Sequence, residues 1–301
     1  MTGGIGLVLS GGGAKGGYEA GVYKALEEMG ITASLTAFSG TSVGALNAVL
    51  FDCMGAAAAD IWQSLRITDM MAPDISRIAR TLKSLVSDEP SQTDPSEVKL
   101  TDPNAVIKYL TLDSATLYSD GLPFSQERIS GLIDRYVDFG QLSRKIFVTC
   151  VRRHGGVYAG MTSETFRLNS VLYDNEQKKQ MVLASAALPG VYCGADGVKI
   201  KGMEDSFFDG GWGSKGENTP ISPLYTRGFR RIIAVHLRHD PDLSVQSAYP
   251  DAEIINIIPS AALGGLLTGT LNLTPDKVRR DIERGYRDTL ALEFELLSMI
   301  K

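Results

Sequence analysis

Two segments near the amino terminus constrain the fold more than any other part of the chain. Each is a short apolar run that breaks at glycines and restarts with helical spacing. The first, Ile5-Gly6-Leu7-Val8-Leu9-Ser10, runs into Gly11-Gly12-Gly13-Ala14-Lys15-Gly16-Gly17. A run of this length bounded by glycine is the pattern of a strand buried on both faces, as in a parallel sheet. From Tyr18 to Met29 the apolar residues Ala20, Val22, Tyr23, Leu26 and Met29 recur at helical spacing, with Gly30 placed as a C-cap. The second segment, strand-like over 34–39, turns through Gly40-Thr41-Ser42-Val43-Gly44 into Ala45-Leu46-Asn47-Ala48-Val49-Leu50-Phe51. That stretch is apolar almost all round, so as a helix it belongs in the interior.

Further strands are expected at 145–151, 156–160, 206–209, 231–237 and 253–258, and helices at 125–137 and 176–187. Thr274-Pro275 supplies an N-cap and N1 pair for a closing helix that carries Val278, Ile282, Tyr286 and Leu290 at intervals of four. Strands alternating with helices imply a layered α/β sheet, with 1–301 as one domain. Between residues 66 and 123 the chain gains Pro73, Pro90, Pro95 and Pro103 together with polar runs, which reads as an insertion. Within it a helix over 75–86 has Ile75, Ile78, Leu82, Leu85 and Val86 on one side and Arg77, Arg80 and Lys83 elsewhere. It would serve as a lid, as an anionic-lipid contact, or simply as a helix packed on the core, and Met70-Met71 beside it would suit an adaptable apolar groove.

The formal net charge of -5 disfavours nucleic acid as a partner. Cys53, Cys150 and Cys193 are far apart and have no C-x-x-C spacing, so neither a disulfide framework nor a zinc site is expected. With no basic n-region or h-region at the start of the sequence, a reducing cytoplasm is the expected location. The uncharged stretch from Ile254 to Leu273 is interrupted by Pro259 and by Gly264, Gly265 and Gly269. It reads as a buried strand followed by a loop, not as a membrane span.

The loop Gly11–Gly17 formally matches G-x-G-x-x-G. A dinucleotide site would want an acid about 20 residues on, and none lies between Ile31 and Phe51. A P-loop would want Ser or Thr after Lys15, where Gly16 stands. The same cluster of backbone N–H groups at a positive helix end also suits the oxyanion of a tetrahedral intermediate. That role needs a nucleophile, and Gly40-Thr41-Ser42-Val43-Gly44 fits G-x-S-x-G on a strand-to-helix turn. A serine needs a base, usually histidine. Only His154, His236 and His239 are present; His236 sits in an apolar strand pattern, and the other two read as loop residues. Asp209, in Phe207-Phe208-Asp209-Gly210-Gly211, is the better candidate: a carboxylate at an apolar strand end, where burial raises its pKa toward a useful value.

Taken together, these motifs resemble the patatin-like phospholipase family. That family pairs a glycine-rich oxyanion loop (here Gly11, Gly12 and Gly13, followed by Lys15 and Gly16) with a G-x-S-x-G serine (Ser42 between Gly40 and Gly44) and a D-G-G aspartate (Asp209 before Gly210 and Gly211). Ala184-Ser185-Ala186-Ala187-Leu188-Pro189 is similar to the family's A-S-x-A-x-P segment, and Gly285-Tyr286-Arg287-Asp288 to its G-Y-x-D. One departure follows Asp209: the family's D-G-G-x-x-x-N-x-P run is longer here, with Trp212 to Glu217 before Asn218-Thr219-Pro220.

The resemblance implies a three-layer α/β/α sandwich with a mostly parallel central sheet. It implies a Ser42–Asp209 dyad acting through an acyl-enzyme, with no metal and no cofactor. The substrate it implies is a phospholipid or other acyl ester met at a membrane surface, so the cytoplasmic protein is expected to be peripheral at the membrane. Some bacterial members are toxins and others are membrane-degrading effectors in antiviral defence, switched on by a small-molecule signal; no sensor segment is visible here. The competing readings are a Ser-His-Asp esterase or acyltransferase on the same scaffold, and a non-catalytic nucleotide- or phosphate-binding module.

Overall fold

The computed structural model describes residues 4–70, 72–73, 124–155, 160–189, 191–193 and 196–300. The helix expected over 75–86, Met71 and most of the 66–123 insertion lie outside them. At the flanks of that insertion Ala72–Pro73 pairs antiparallel with Phe124–Ser125, so the chain leaves and re-enters at one point.

In chain order the elements are β1 (Ile5–Leu9), α1 (Gly16–Glu28), β2 (Leu35–Thr41), α2 (Val43–Met54), α3 (Ala58–Ser64), α4 (Glu127–Tyr136), β3 (Lys145–Arg153) and β4 (Met161–Arg167). They continue with α5 (Asn175–Ser185), β5 (Val198–Lys199), β6 (Ser206–Asp209), β7 (Arg231–Val235), β8 (Glu253–Ile257), α6 (Pro275–Leu290) and α7 (Glu293–Ser298). The sheet runs β8-β7-β1-β2-β3-β6-β5, and β4 pairs with β3 off this path. Its centre is parallel, from β8 through to β3. β4, β5 and β6 add antiparallel pairs at one margin.

Every residue of β1 is buried, as its unbroken apolar run requires, and alternation distributes them to two layers. Ile5, Leu7 and Leu9 join the main core with α1, α2 and α6, while Val8 joins a smaller cluster with Ile232, Leu224 and Phe229. The helical cover on that second face is thin among the described residues, a short helix at Ser222–Tyr225 and its following loop. α2 carries nine consecutive buried residues from Val43, as expected for a helix apolar all round.

Two helix starts differ from their sequence reading. α5 opens on a capping box: the Asp174 carboxylate accepts from Gln177 N–H at 2.7 Å, and Gln177 Oε1 accepts from Asp174 N–H at 3.0 Å. Thr274 occupies the N-cap of α6 but makes no side-chain hydrogen bond there, so Pro275 at N1 is what starts that helix. The G-Y-x-D segment ties α6 to its surroundings. Asp288 accepts from Tyr18 OH at 3.0 Å and from Ser260 N–H at 2.9 Å, and Tyr286 OH donates to Glu28 at 2.6 Å.

Candidate active site

Strand pairing brings Ser42 to Asp209. β2 runs parallel to β3 as far as Thr41 opposite Thr149. β6 runs antiparallel to β3 and ends with Asp209 opposite Cys150, the next residue. β4 occupies the other edge of β3 throughout, so β2 and β6 share one edge and meet end to end. The residue after Thr41 therefore faces the last residue of β6.

At that junction the backbone turns sharply. Ser42 has φ 56° and ψ -122°, the only positive φ outside glycine among the described residues. Such a conformation costs on the order of 1–3 kcal/mol and persists only where its surroundings hold it. Here the first turn of α2 does so: Ala45 and Leu46 N–H donate to the Ser42 carbonyl at 3.0 and 3.2 Å. Glycine is required on both sides of the turn. A Cβ at Gly40 would collide with the Gly44 carbonyl, and one at Gly44 with the Leu9 carbonyl.

Asp209 is 5% exposed. Burial raises its carboxyl to about 6, opposed by the nearby Ser42 hydroxyl and by Gly211 N–H, which donates to it at 2.9 Å. At neutral pH it is an anion, the form that a general base requires. The pair opens on a cavity of about 360 Å³ whose apolar wall includes Leu46, Met70, Ile129, Val191, Leu271 and Leu273. Lys15, Arg238 and Asn218 also line it.

The glycine loop is only partly available as an oxyanion cradle. Gly11 N–H donates to the Asn218 carbonyl at 2.9 Å, and Asn218 Nδ2 returns a bond to the Gly11 carbonyl at 3.2 Å. The Gly11 amide, expected as an oxyanion donor, is already hydrogen-bonded within the protein. The N–H groups of Gly12 and Gly13 have no acceptor among the described residues. They precede α1, where the helix dipole adds positive potential. Lys15 is half-buried, and burial together with Lys277 and Arg238 lowers its pKa. Gly16 packs behind the loop against Val43 and Trp62.

The sequence model of the patatin-like phospholipase family matches residues 7–225, a span holding the glycine loop, the serine turn and the strand that ends at Asp209. The chain belongs to this family. Membership places it among lipid-acyl hydrolases. Among curated proteins no sequence relative matches the chain. Of solved structures, VipD from Legionella pneumophila is similar over 97% of this chain and 67% of its own, at 17% identity and a TM-score of 0.51. The type III effector ExoU of Pseudomonas aeruginosa is similar over 99% and 53%, at 17% identity and a TM-score of 0.48. Human GIVD cytosolic phospholipase A2 is similar over 99% and 58%, at 12% identity and a TM-score of 0.44. At such identity the VipD likeness is one of fold, and the chain spans from about half to two thirds of these proteins' lengths.

Among the described residues of this family member, no histidine hydrogen-bonds to the serine or the aspartate. His236 is buried and bonded through Nε2 to Asn256 Oδ1 at 2.8 Å, and burial lowers its pKa. His239 Nδ1 meets the Pro259 carbonyl at 2.6 Å, and His154 Nε2 meets Thr162 Oγ1 at 3.0 Å. The longer loop after Gly211 still returns Asn218 to the site, between the two glycine turns: a Cβ at either Gly11 or Gly211 would strike its Oδ1.

Sequence reasoning missed Glu19, which lies fully buried in α1. Its Oε2 accepts from Asn47 Nδ2 at 2.8 Å, and that amide also donates to the Gly16 carbonyl at 3.0 Å and accepts from Trp62 Nε1 at 2.8 Å. Oε1 has no partner among the described residues. Burial raises this carboxyl to about 8, against the pull of Asn47, so it is protonated at neutral pH. Nothing in a lone glutamate on an apparently amphipathic helix signals this; only the packing of α1 against α6, α2 and α3 seals it.

Proposed function

We propose that this patatin-like phospholipase cleaves acyl esters of membrane glycerophospholipids through a Ser42–Asp209 dyad. The carrying observation is a serine in a strained turn set beside a buried carboxylate, both lining one largely apolar cavity. Asp209 accepts the hydroxyl proton as Ser42 Oγ attacks the ester carbonyl. The N–H groups of Gly12 and Gly13 receive the oxyanion, where preorganised donors lower the barrier. The tetrahedral intermediate collapses, Asp209 returns its proton to the departing alcohol, and an acyl-Ser42 ester remains. Water, deprotonated by Asp209, then releases the fatty acid and restores the serine.

The apolar wall suits an acyl chain, and a cavity of this size lies within the range of small-molecule sites. Working on a lipid, the protein acts at a membrane surface as a peripheral protein from the cytoplasm. The test is a fluorophosphonate probe together with fatty acid release from phosphatidylcholine vesicles. The probe is expected to label Ser42, and Ser42→Ala to lose both label and release while its circular dichroism is unchanged. Wild-type turnover in that variant refutes the reading.

A further inference from the structure

Ser42 N–H has no partner in regular structure. The β2 ladder ends at Thr41 and α2 begins at Val43, so the amide of the strained residue falls between them. Its acceptor is a side chain distant in sequence: Ser185 Oγ, at 2.8 Å. The same oxygen donates its own hydrogen to the Thr149 carbonyl at 2.7 Å, on β3 at the last position paired with β2. A serine in a helix usually bonds back to a carbonyl of its own preceding turn. Ser185, fully buried in the last turn of α5, reaches two other elements instead.

The backbone around it holds the other half of the dyad. The Ser185 carbonyl accepts from Gly210 N–H at 3.2 Å, and the Ala187 carbonyl from Asp209 N–H at 3.0 Å. One turn at the end of α5 therefore grips the chain at Ser42, at Thr149 and on both sides of the Asp209–Gly210 peptide.

We infer that Ser185 is a positioning residue for the Ser42–Asp209 dyad, its hydroxyl fixing the nucleophile's backbone from the turn that anchors the base. This rests on the dyad reading above. Ser185 touches neither partner's reacting atoms, so it acts only through the register of Ser42. Losing its hydroxyl frees the Ser42 amide and lets Oγ drift from the carboxylate and from the Gly12 and Gly13 donors. Misplacement of a reacting group by about 1 Å costs on the order of 100-fold in rate.

The experiment compares wild type, Ser185→Ala and Ser185→Cys, the last keeping a weaker acceptor of similar shape. Active sites are first counted by the endpoint of fluorophosphonate labelling. Then kcat per titrated site and KM are measured on a soluble short-chain ester. The expected result is a kcat per site lower by roughly 100-fold in Ser185→Ala, a smaller loss in Ser185→Cys, and an unchanged KM in both. A purely structural role gives fewer titratable sites, each with wild-type kcat, and overturns the inference. If Ser185→Ala fails to fold, Ser185→Cys decides alone: wild-type kcat per site refutes, reduced kcat at constant KM supports. Absence of label on wild-type Ser42 sinks the dyad reading itself, a result separable from normal turnover in the Ser185 variants.

Discussion

Replacing Glu19 by Gln isolates the behaviour of a carboxyl group sealed inside the protein. In the folded chain burial holds its pKa at about 8, against an ordinary value of 4.5 once unfolded. The native state therefore binds a proton that the unfolded state releases, and stability is lost as pH rises toward and through 8. Each unit between the two values corresponds to about 1.36 kcal/mol while the native group stays protonated. From pH 6 to pH 8, allowing for half-titration at the upper end, wild type loses about 2 kcal/mol from this one group. Glu19→Gln is neutral at every pH and loses none of it. The assay is urea unfolding of both proteins at pH 6 and pH 8. Other titrating groups, Asp209 among them, act alike in both proteins and cancel in the comparison. The variant is expected to gain on wild type by about 2 kcal/mol between the two pH values; an equal loss in both refutes the claim that Glu19 is protonated in the fold.

Other outcomes follow from the site. Because burial raises Asp209 to about 6 and the proposed dyad needs it ionised, kcat/KM should be level above that pH and fall about tenfold per unit below it. A pH–rate profile on a soluble ester reads this, and a flat profile down to pH 4 contradicts it. Asp209→Asn should lower kcat by roughly 10²–10⁴, whereas His236→Asn, provided it folds, should retain most turnover; the opposite ranking would favour a histidine base. Gly44→Ala, whose new methyl meets the Leu9 carbonyl, should destabilise by about 1–3 kcal/mol, measured as a lower urea midpoint.

Legibility in the sequence tracked how local the determining contacts are. β1, β2 and β6 end at glycine turns, and their positions emerged from apolar runs a few residues long; β6 lies at Ser206–Asp209 as read. The strand expected over 156–160 instead runs Met161–Arg167, and 156–159 lie outside the described residues. That strand lies against β3 with only Phe166 buried, so its Thr, Ser and Glu carry no apolar signal. The Asp174–Gln177 capping box is present in the sequence as D-x-x-Q, and it starts the helix one residue before the Glu176 that the sequence suggests. The two halves of the candidate site were visible as separate motifs, while their meeting depends on both strands sharing one edge of β3. The Gly11 amide looked free because the carbonyl that takes it belongs to Asn218, far along the chain. Ser185 was visible as part of a motif, yet its hydrogen bonds to Ser42 and Thr149 span 143 and 36 residues.

The end-to-end meeting of β2 and β6 also sets a timetable. At 5–20 residues per second, roughly ten to thirty seconds of synthesis separate Ser42 from Asp209. During that interval the partners of both turns are still missing, since Ser185, the β6 half of the β3 edge and Asn218 all lie further along the chain. On the proposed dyad, the nascent protein thus carries a hydroxyl with no base. β6 is four residues long and carries the proposed base at its last position, so the dyad can be complete only after it pairs with β3. On that proposal, a ribosome-bound fragment ending before Ser206 would be inert.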